Sequence, residues 1–416
     1  MKKWIFLLLL NVSLLATAQN LTLDQCQKEA EANYPLSKKR ELIAKSESYT
    51  LSNISKAYLP QFSFNSQTTY QSDVVEFPGS IPGVDMPTQN KDQYKAYIQM
   101  DQVLLDGGNI RNQKETERAK RDLERKTLEV ELYTLRERIN QLYFGILVGD
   151  EKIRQNELTL EDIKIGLKTV NAQIANGTSF RSNADVLKAE ELKVRQEQTK
   201  LRSNRKAYLQ MLGLFVNREL SQDVILEKPT TPLAAFEINR PELSMYASHD
   251  KLLELGKKSI TTENKPKVNL FVQAGAGNPA LNFLEEGWNS YYYGGIKTIW
   301  SFGGLYTTKK KKQLIDLDKM TLEADKETFL FNIDQTVKQQ NSDIEKYQQL
   351  LVSDDEIVKL RNNVKKASAA QLENGVITSS DYLKEVNNEN ESRQDKAVHE
   401  MELLLAQYNQ KTTTGN

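Results

Sequence analysis

A chain of 416 residues with 56 basic and 56 acidic side chains carries no net charge, which gives no electrostatic case for nucleic acid as a partner. Hydrophobic residues make up 39% and charged residues 27%, a balance that suits long helices in water and is too thin for several compact cores. Its 2 histidines, His249 and His399, and its 1 cysteine, Cys26, supply neither a histidine metal site, a Cys/His catalytic pair nor an internal disulfide. No cofactor and no enzymatic activity are expected.

The chain opens with Met1-Lys2-Lys3, an apolar run over 5–15 and the small-x-small triplet Ala16-Thr17-Ala18 before Gln19. This pattern predicts a cleaved export signal over 1–18. The apolar run is shorter than the roughly 20 residues of a membrane helix, and no later segment approaches that length without charges. Cys26 follows closely, without the small apolar residues that would mark a lipid anchor, and reads as a buried residue of the first helix.

The rest divides into two copies, 19–230 and 231–416, with the same order of elements. In the first copy a helix over about 23–57 precedes strands over about 60–72 and 93–105. Phe62, Phe64 and Tyr70 alternate with Gln61, Ser63, Asn65, Gln67 and Gln71, a period-two pattern. In the second copy a helix over about 241–262 precedes strands over about 268–276 and 288–302. Each strand has roughly the 9–11 residues that span a membrane when tilted. The joining loops, 73–90 and 277–287, are rich in Pro, Gly and polar residues. Tyr94, Trp288, Tyr291, Tyr292, Tyr293, Trp300 and Phe302 gather at or near strand ends, as interfacial aromatics do. Four strands cannot close a barrel and an open edge cannot face lipid, so membrane insertion requires several copies.

Glycine pairs close each strand pair, Gly107-Gly108 and Gly303-Gly304. No Gly-Lys-Ser/Thr follows them, so they are strand-to-helix turns and not phosphate loops. Long helices of about seventy residues follow, over about 109–175 and 305–373, and equal spans in two copies mark a duplicated element. Leu128, Leu132, Leu135, Ile139, Leu142, Ile146, Ile153, Leu160, Ile163, Leu167, Val170 and Ile174 recur at a period near 3.5, a coiled-coil seam. Leu330, Ile333, Val337, Ile344, Tyr347, Leu351 and Val358 repeat it less cleanly. Both helices end on a left-handed cap, Asn176-Gly177 and Asn374-Gly375. Start signals follow at Ser182 to Asp185 and Thr378 to Asp381, with Asp185 and Asp381 placed as capping acids. The returning helices run over about 184–212 and 380–410. The fold class is therefore mainly α with a small β part, two tandem repeats each giving two strands to an intermolecular barrel and a long coiled-coil helical hairpin.

These features resemble the outer-membrane efflux protein family of TolC-type channels over essentially the whole chain after the signal. The marks are Leu59-Pro60 and Lys265-Pro266 at strand entries, Asp106-Gly107-Gly108 and Phe302-Gly303-Gly304 at the junctions, the two tip turns, and Arg240-Pro241-Glu242-Leu243 opening the second copy. The resemblance implies a homotrimer in the outer membrane of a Gram-negative bacterium, extending into the periplasm, where the hairpins would build a periplasmic α-barrel. Twelve strands would form its barrel, with Phe62, Phe64, Tyr70, Trp288 and Trp300 against outer-membrane lipid. It would serve as a passive duct for efflux or type I secretion, with a periplasmic adaptor (membrane fusion protein) and an inner-membrane transporter as partners.

In that family the tips close the passage and dock the adaptor, which points to Asn176, Gly177, Asp185, Asn374, Gly375, Asp381 and Lys384. Asp381 matches the acid that follows the tip glycine in the family motif. Ile377 and Lys384 depart from the basic and second acidic residues often found nearby, which weakens the case for an acidic ring, and Asp381 reads equally as a cap. The run Lys309-Lys310-Lys311-Lys312 is read as a solvated helix face or, more sharply, as a contact with lipid phosphate. The competing reading of the chain is a periplasmic coiled-coil adaptor or scaffold without a barrel; adaptors carry one hairpin between β domains, whereas two hairpins are present here.

Overall fold

A computed structural model describes residues 21–75, 79, 83, 89–232, 237–285 and 287–416; the expected signal over 1–18 lies outside them. Helices α1 (Leu23–Asn33) and α2 (Lys39–Lys56) precede strands β1 (Gln61–Tyr70) and β2 (Asp92–Leu105). Helices α3 (Asn109–Tyr133), α4 (Leu135–Ala175) and α5 (Arg181–Val216) follow, then α6 (Pro241–Glu263), β3 (Lys267–Asn278), β4 (Asn289–Ile299), α7 (Leu305–Glu373) and α8 (Ser379–Thr414).

Two expected helices are interrupted. The helix over 23–57 is two, joined by a 3₁₀ turn at Pro35–Lys38, because a residue before proline is driven out of the helical region and Tyr34 sits at ψ 134°. The helix over 109–175 is broken at Thr134 alone, which keeps helical angles of −62° and −18°. Tertiary anchors surround the break. The Tyr133 hydroxyl donates to Thr412 O at 2.8 Å, the Arg136 and Arg240 guanidinium groups lie 4.6 and 4.5 Å from its ring centre, and Arg136 pairs with Glu31 at 2.8 Å.

The described residues form two compact units, which cut across the two sequence copies. The helical unit takes residues up to Ser37, Glu129–Pro241 and Phe329–Asn416. One of its cores gathers Cys26, Ile139, Tyr143, Phe144, Leu212 and Leu404; a second gathers Ile163, Val170, Leu187, Tyr382, Leu383 and Val386. Burial pushes the Cys26 thiol up to about 12, so it stays a neutral packing group. The seam of α4 is largely buried, through Leu135, Ile139, Ile146, Ile163 and Val170. On α7 the corresponding residues from Leu330 to Val358 remain only half-buried. Among charged groups, Lys365 of α7 reaches Asp162 of α4 at 2.7 Å and Glu389 of α8 at 3.2 Å, and Arg393 also pairs with Glu389.

The sheet unit comprises Lys38–Leu128 and Glu242–Thr328. Its four strands are antiparallel in the order β1-β2-β3-β4, so β1 and β4 each have one neighbour and one open edge. Its helices are held by polar ties, with Arg125 on Glu47 at 2.7 Å and the Ser248 hydroxyl donating to Asp122 at 2.8 Å.

Candidate functional site

Strand register sorts side chains onto faces, because residues directly opposite one another in an antiparallel pair project to the same side. Phe64 faces Ile98, Ile98 faces Ala274, and Ala274 faces Tyr292. Phe62, Met100 and Val272 form a parallel row on that side, as do Leu270 and Ile296. The opposite side carries Ser63, Gln99, Gln273 and Tyr293 in one row, with Asn65, Gln61, Asp101 and Lys297 nearby. A hydrogen-bond chain runs along it: Gln273 donates to Gln99 at 2.6 Å, and Gln99 donates to Asp101 at 2.7 Å. The apolar side is uncovered, with Phe62 71%, Phe64 72% and Tyr292 82% exposed. Thr, Ser and Ala lighten this face toward the loop end, where Tyr70 is also exposed.

Aromatics mark both ends of the sheet. At the loop end, Trp288 lies 6.1 Å from the Tyr94 ring. At the other, the Trp300 indole N–H donates to Asn264 O at 3.1 Å and its ring lies 4.8 Å from Phe302.

The two glycine junctions occupy equivalent places with different geometry. Gly107 and Gly108 adopt φ of +68° and +84°, and a Cβ on Gly107 would lie 2.6 Å from Lys265 Cβ. Gly303 and Gly304 have no positive φ; a Cβ on Gly304 would meet the Asn264 amide oxygen and oblige that side chain to shift. Both junctions therefore press against the same dipeptide entering β3. The first is also tied by Asp106, whose carboxylate accepts from Gly108 N at 2.9 Å and Ile110 N at 2.5 Å. Asp106 was visible only as part of the glycine motif, yet it caps α3.

At the tips, both long helices end in the same hydrogen-bond pattern. Thr178 N donates to Gln173 O at 2.9 Å and Gly177 N to Ile174 O at 3.0 Å; Val376 N donates to Gln371 O at 2.9 Å and Gly375 N to Leu372 O at 3.0 Å. These are Schellman caps, with Gly177 at φ +74° and Gly375 at +71° after Asn176 and Asn374. The Gln173 amide donates to Leu372 O at 2.6 Å and Glu373 O at 3.2 Å, so one tip satisfies helix-end carbonyls of the other.

The helices that leave the tips differ. Thr378 and Asp381 form the expected capping box: Asp381 N donates to Thr378 Oγ1 at 3.2 Å, and Thr378 N donates to Asp381 Oδ2 at 3.1 Å. The Thr378 hydroxyl also donates to Oδ2 at 2.7 Å, and these bonds hold the Asp381 carboxyl below its ordinary range. Lys384 stands exposed one turn on. The capping role expected for Asp185 is corrected. Helix α5 starts at Arg181 after Phe180, with no side-chain cap, so Asp185 falls past the first turn. Phe180, 80% exposed in that turn, was missed; an aromatic within an otherwise polar turn was the available signal.

No cluster of three or more His, Cys, Asp or Glu side chains that could hold a metal occurs among the described residues, and His399 pairs with Asp354 at 2.7 Å. No helix among them is long and apolar enough to cross a membrane.

An antiparallel sheet with one apolar and one polar face, open at both edges and followed by long helical hairpins, is a fold shared with solved outer-membrane channels. The outer-membrane channel OprN superposes with a TM-score of 0.67 at 15% identity, covering 94% of this chain and 89% of that one. VceC from Vibrio cholerae gives 0.66 at 12%, covering 95% and 96%, and the open state of the Neisseria gonorrhoeae channel MtrE gives 0.66 at 13%, covering 95% and 89%. The family model described as outer membrane efflux protein matches residues 43–216, which shows the resemblance of this chain to that family. That match lies within the first copy, the one with the cleaner heptad seam. No curated protein sequence matches the chain.

Proposed function

We propose that three copies of this chain form a passive duct for efflux or type I secretion, with β4 of each copy paired to β1 of the next in a twelve-stranded barrel. The observation that carries the reading is the segregated sheet with both edges open: its apolar face needs lipid and its edges need strands. The half-buried seam of α7 supports it, since a coiled-coil stripe left uncovered in one chain suits a neighbouring copy. The tips, with Asn176, Gly177, Asp185, Asn374, Gly375, Asp381 and Lys384, then serve as the inner mouth and as the docking surface for a periplasmic adaptor that connects to an inner-membrane transporter. Native mass spectrometry of protein extracted from membranes in detergent tests the assembly. The expected species is a trimer of the processed chain. A monomer that stays in solution without detergent would overturn the reading in favour of a coiled-coil scaffold.

A further inference from the structure

The lysine run on α7 is not used by the proposed duct, and the sheet unit places it in a specific setting. Strand β4 ends at Ile299 and α7 begins at Leu305, so Trp300, Phe302 and Tyr306 lie between the apolar face and the lysines. All three rings are exposed, Tyr306 at 87%. Lys309 and Lys310 stand three and four residues beyond Tyr306, hence on its side of the helix and about 6 Å along the axis from Leu305. Helical side chains lean toward the N-terminus, so these two lysines lean back toward the aromatic belt.

Charge compensation is thin there. Lys311 has Glu263 at 3.9 Å, while Lys309, Lys310 and Lys312 make no ion pair with any described residue. Four cations in the opening turns of a helix also oppose its dipole, whose positive end lies there. The first copy shows that this helix start needs no such run. Counting from Gly108 as from Gly304, it has Gln113, Lys114, Glu115 and Thr116, and Glu115 is paired with Arg111 at 3.0 Å. The basic run thus belongs to the second copy alone.

The geometry points to a phospholipid site: Lys309 and Lys310, with Tyr306, hold the phosphate of an anionic glycerophospholipid in the periplasmic leaflet beside the barrel. The headgroup layer lies just outside the apolar core, at the depth of an aromatic belt. An anion there neutralises the lysines and also meets the helix N-terminus. The site rests on the membrane reading of the sheet.

The test uses the intact protein in nanodiscs of phosphatidylcholine, then of phosphatidylcholine and phosphatidylglycerol in equal parts, with lipid retained after mild detergent release counted by mass spectrometry. Failure to enter phosphatidylcholine discs would strike at the membrane reading itself and so is separate from the lipid site. Given insertion, wild type should retain phosphatidylglycerol over phosphatidylcholine. Each lysine near the surface is worth about fivefold, so Lys309→Gln/Lys310→Gln should cut that enrichment by at least about tenfold. Lys309→Arg/Lys310→Arg should keep it, as should Lys359→Gln/Lys366→Gln, which removes equal charge far along α7. Equal enrichment in wild type and the glutamine variant would overturn the proposal. So would loss in the arginine variant or in the distant control, or displacement of the lipid by millimolar inorganic phosphate. Unchanged lipid together with reduced anion preference in planar bilayers would place the lysines on the aqueous passage instead.

Discussion

Gly166 and Tyr382 show how a single position sets helix packing. A Cβ on Gly166 of α4 would lie 2.7 Å from Tyr382 Cε1, and the Tyr382 hydroxyl donates to Asp162 O at 3.0 Å. Burial raises the Tyr382 phenol to about 12, so it remains the neutral donor that this bond needs. Replacing a helical glycine by alanine ordinarily stabilises by about 1 kcal/mol, but overpacking against a ring that cannot yield costs about 1–3 kcal/mol. Gly166→Ala should therefore lower stability in denaturant titration. Gly145→Ala is the contrast, since its Cβ would lie 3.2 Å from Tyr208, which is partly exposed and free to shift; it should be neutral or stabilising. Neither outcome was legible in the sequence, where both glycines sit alike in a polar helix and only the facing helix tells them apart.

The capping box gives a second residue-scale test, this one of pH. Because the folded Asp381 carboxyl lies below its ordinary value of 3.8, its stabilisation is present above that pH and is lost as pH falls through the lower folded value. Hydrogen exchange of the 376–382 amides, corrected for intrinsic rates, should accelerate below about pH 4 in wild type. Asp381→Asn should remove that acid step, and Thr378→Ala should weaken the tip by about 1 kcal/mol at neutral pH. An acid step that persists in Asp381→Asn would assign it to another group.

Among elements, the strands were the most legible, because a period of two is short and Phe62, Phe64 and Tyr70 display it directly. The tip caps were equally plain, since Asn-Gly after a heptad seam has few other uses. The start of α5 was misplaced because Ser182 to Asp185 imitates a capping box, while the helix begins earlier at Arg181. The break at Thr134 had no Pro or Gly to announce it; distant partners of Tyr133 and Arg136 surround it. The strand faces yield a direct test. Phe64→Arg should reduce detergent-resistant oligomer sharply, since a cation on the lipid face near the midplane costs roughly 2–4 kcal/mol. Asn65→Arg, one residue on and on the polar face, should be tolerated. Equal amounts of oligomer from both variants would count against a membrane strand.

For the whole molecule, the proposed duct makes the tips the place to test whether local capping bears on transport. Asp381 and Lys384 are both exposed within one turn of the second tip, and their opposite charges should act on ions only if that turn borders the passage. Capping and gating then separate by which change does what. Thr378→Ala removes the cap and keeps the charge, so it should raise single-channel conductance by loosening the turn while leaving ion selectivity unchanged. Asp381→Ala removes both and should raise conductance while also lowering cation preference. Lys384→Ala leaves the box intact and should raise cation preference. Recordings belong at low salt, because charges separated by more than about 10 Å are largely screened at 0.1 M. Conductance changes shared by Thr378→Ala and Asp381→Ala, with no selectivity change in any variant, would make Asp381 a cap alone, whereas no change of conductance or selectivity in any variant would move the constriction away from this turn.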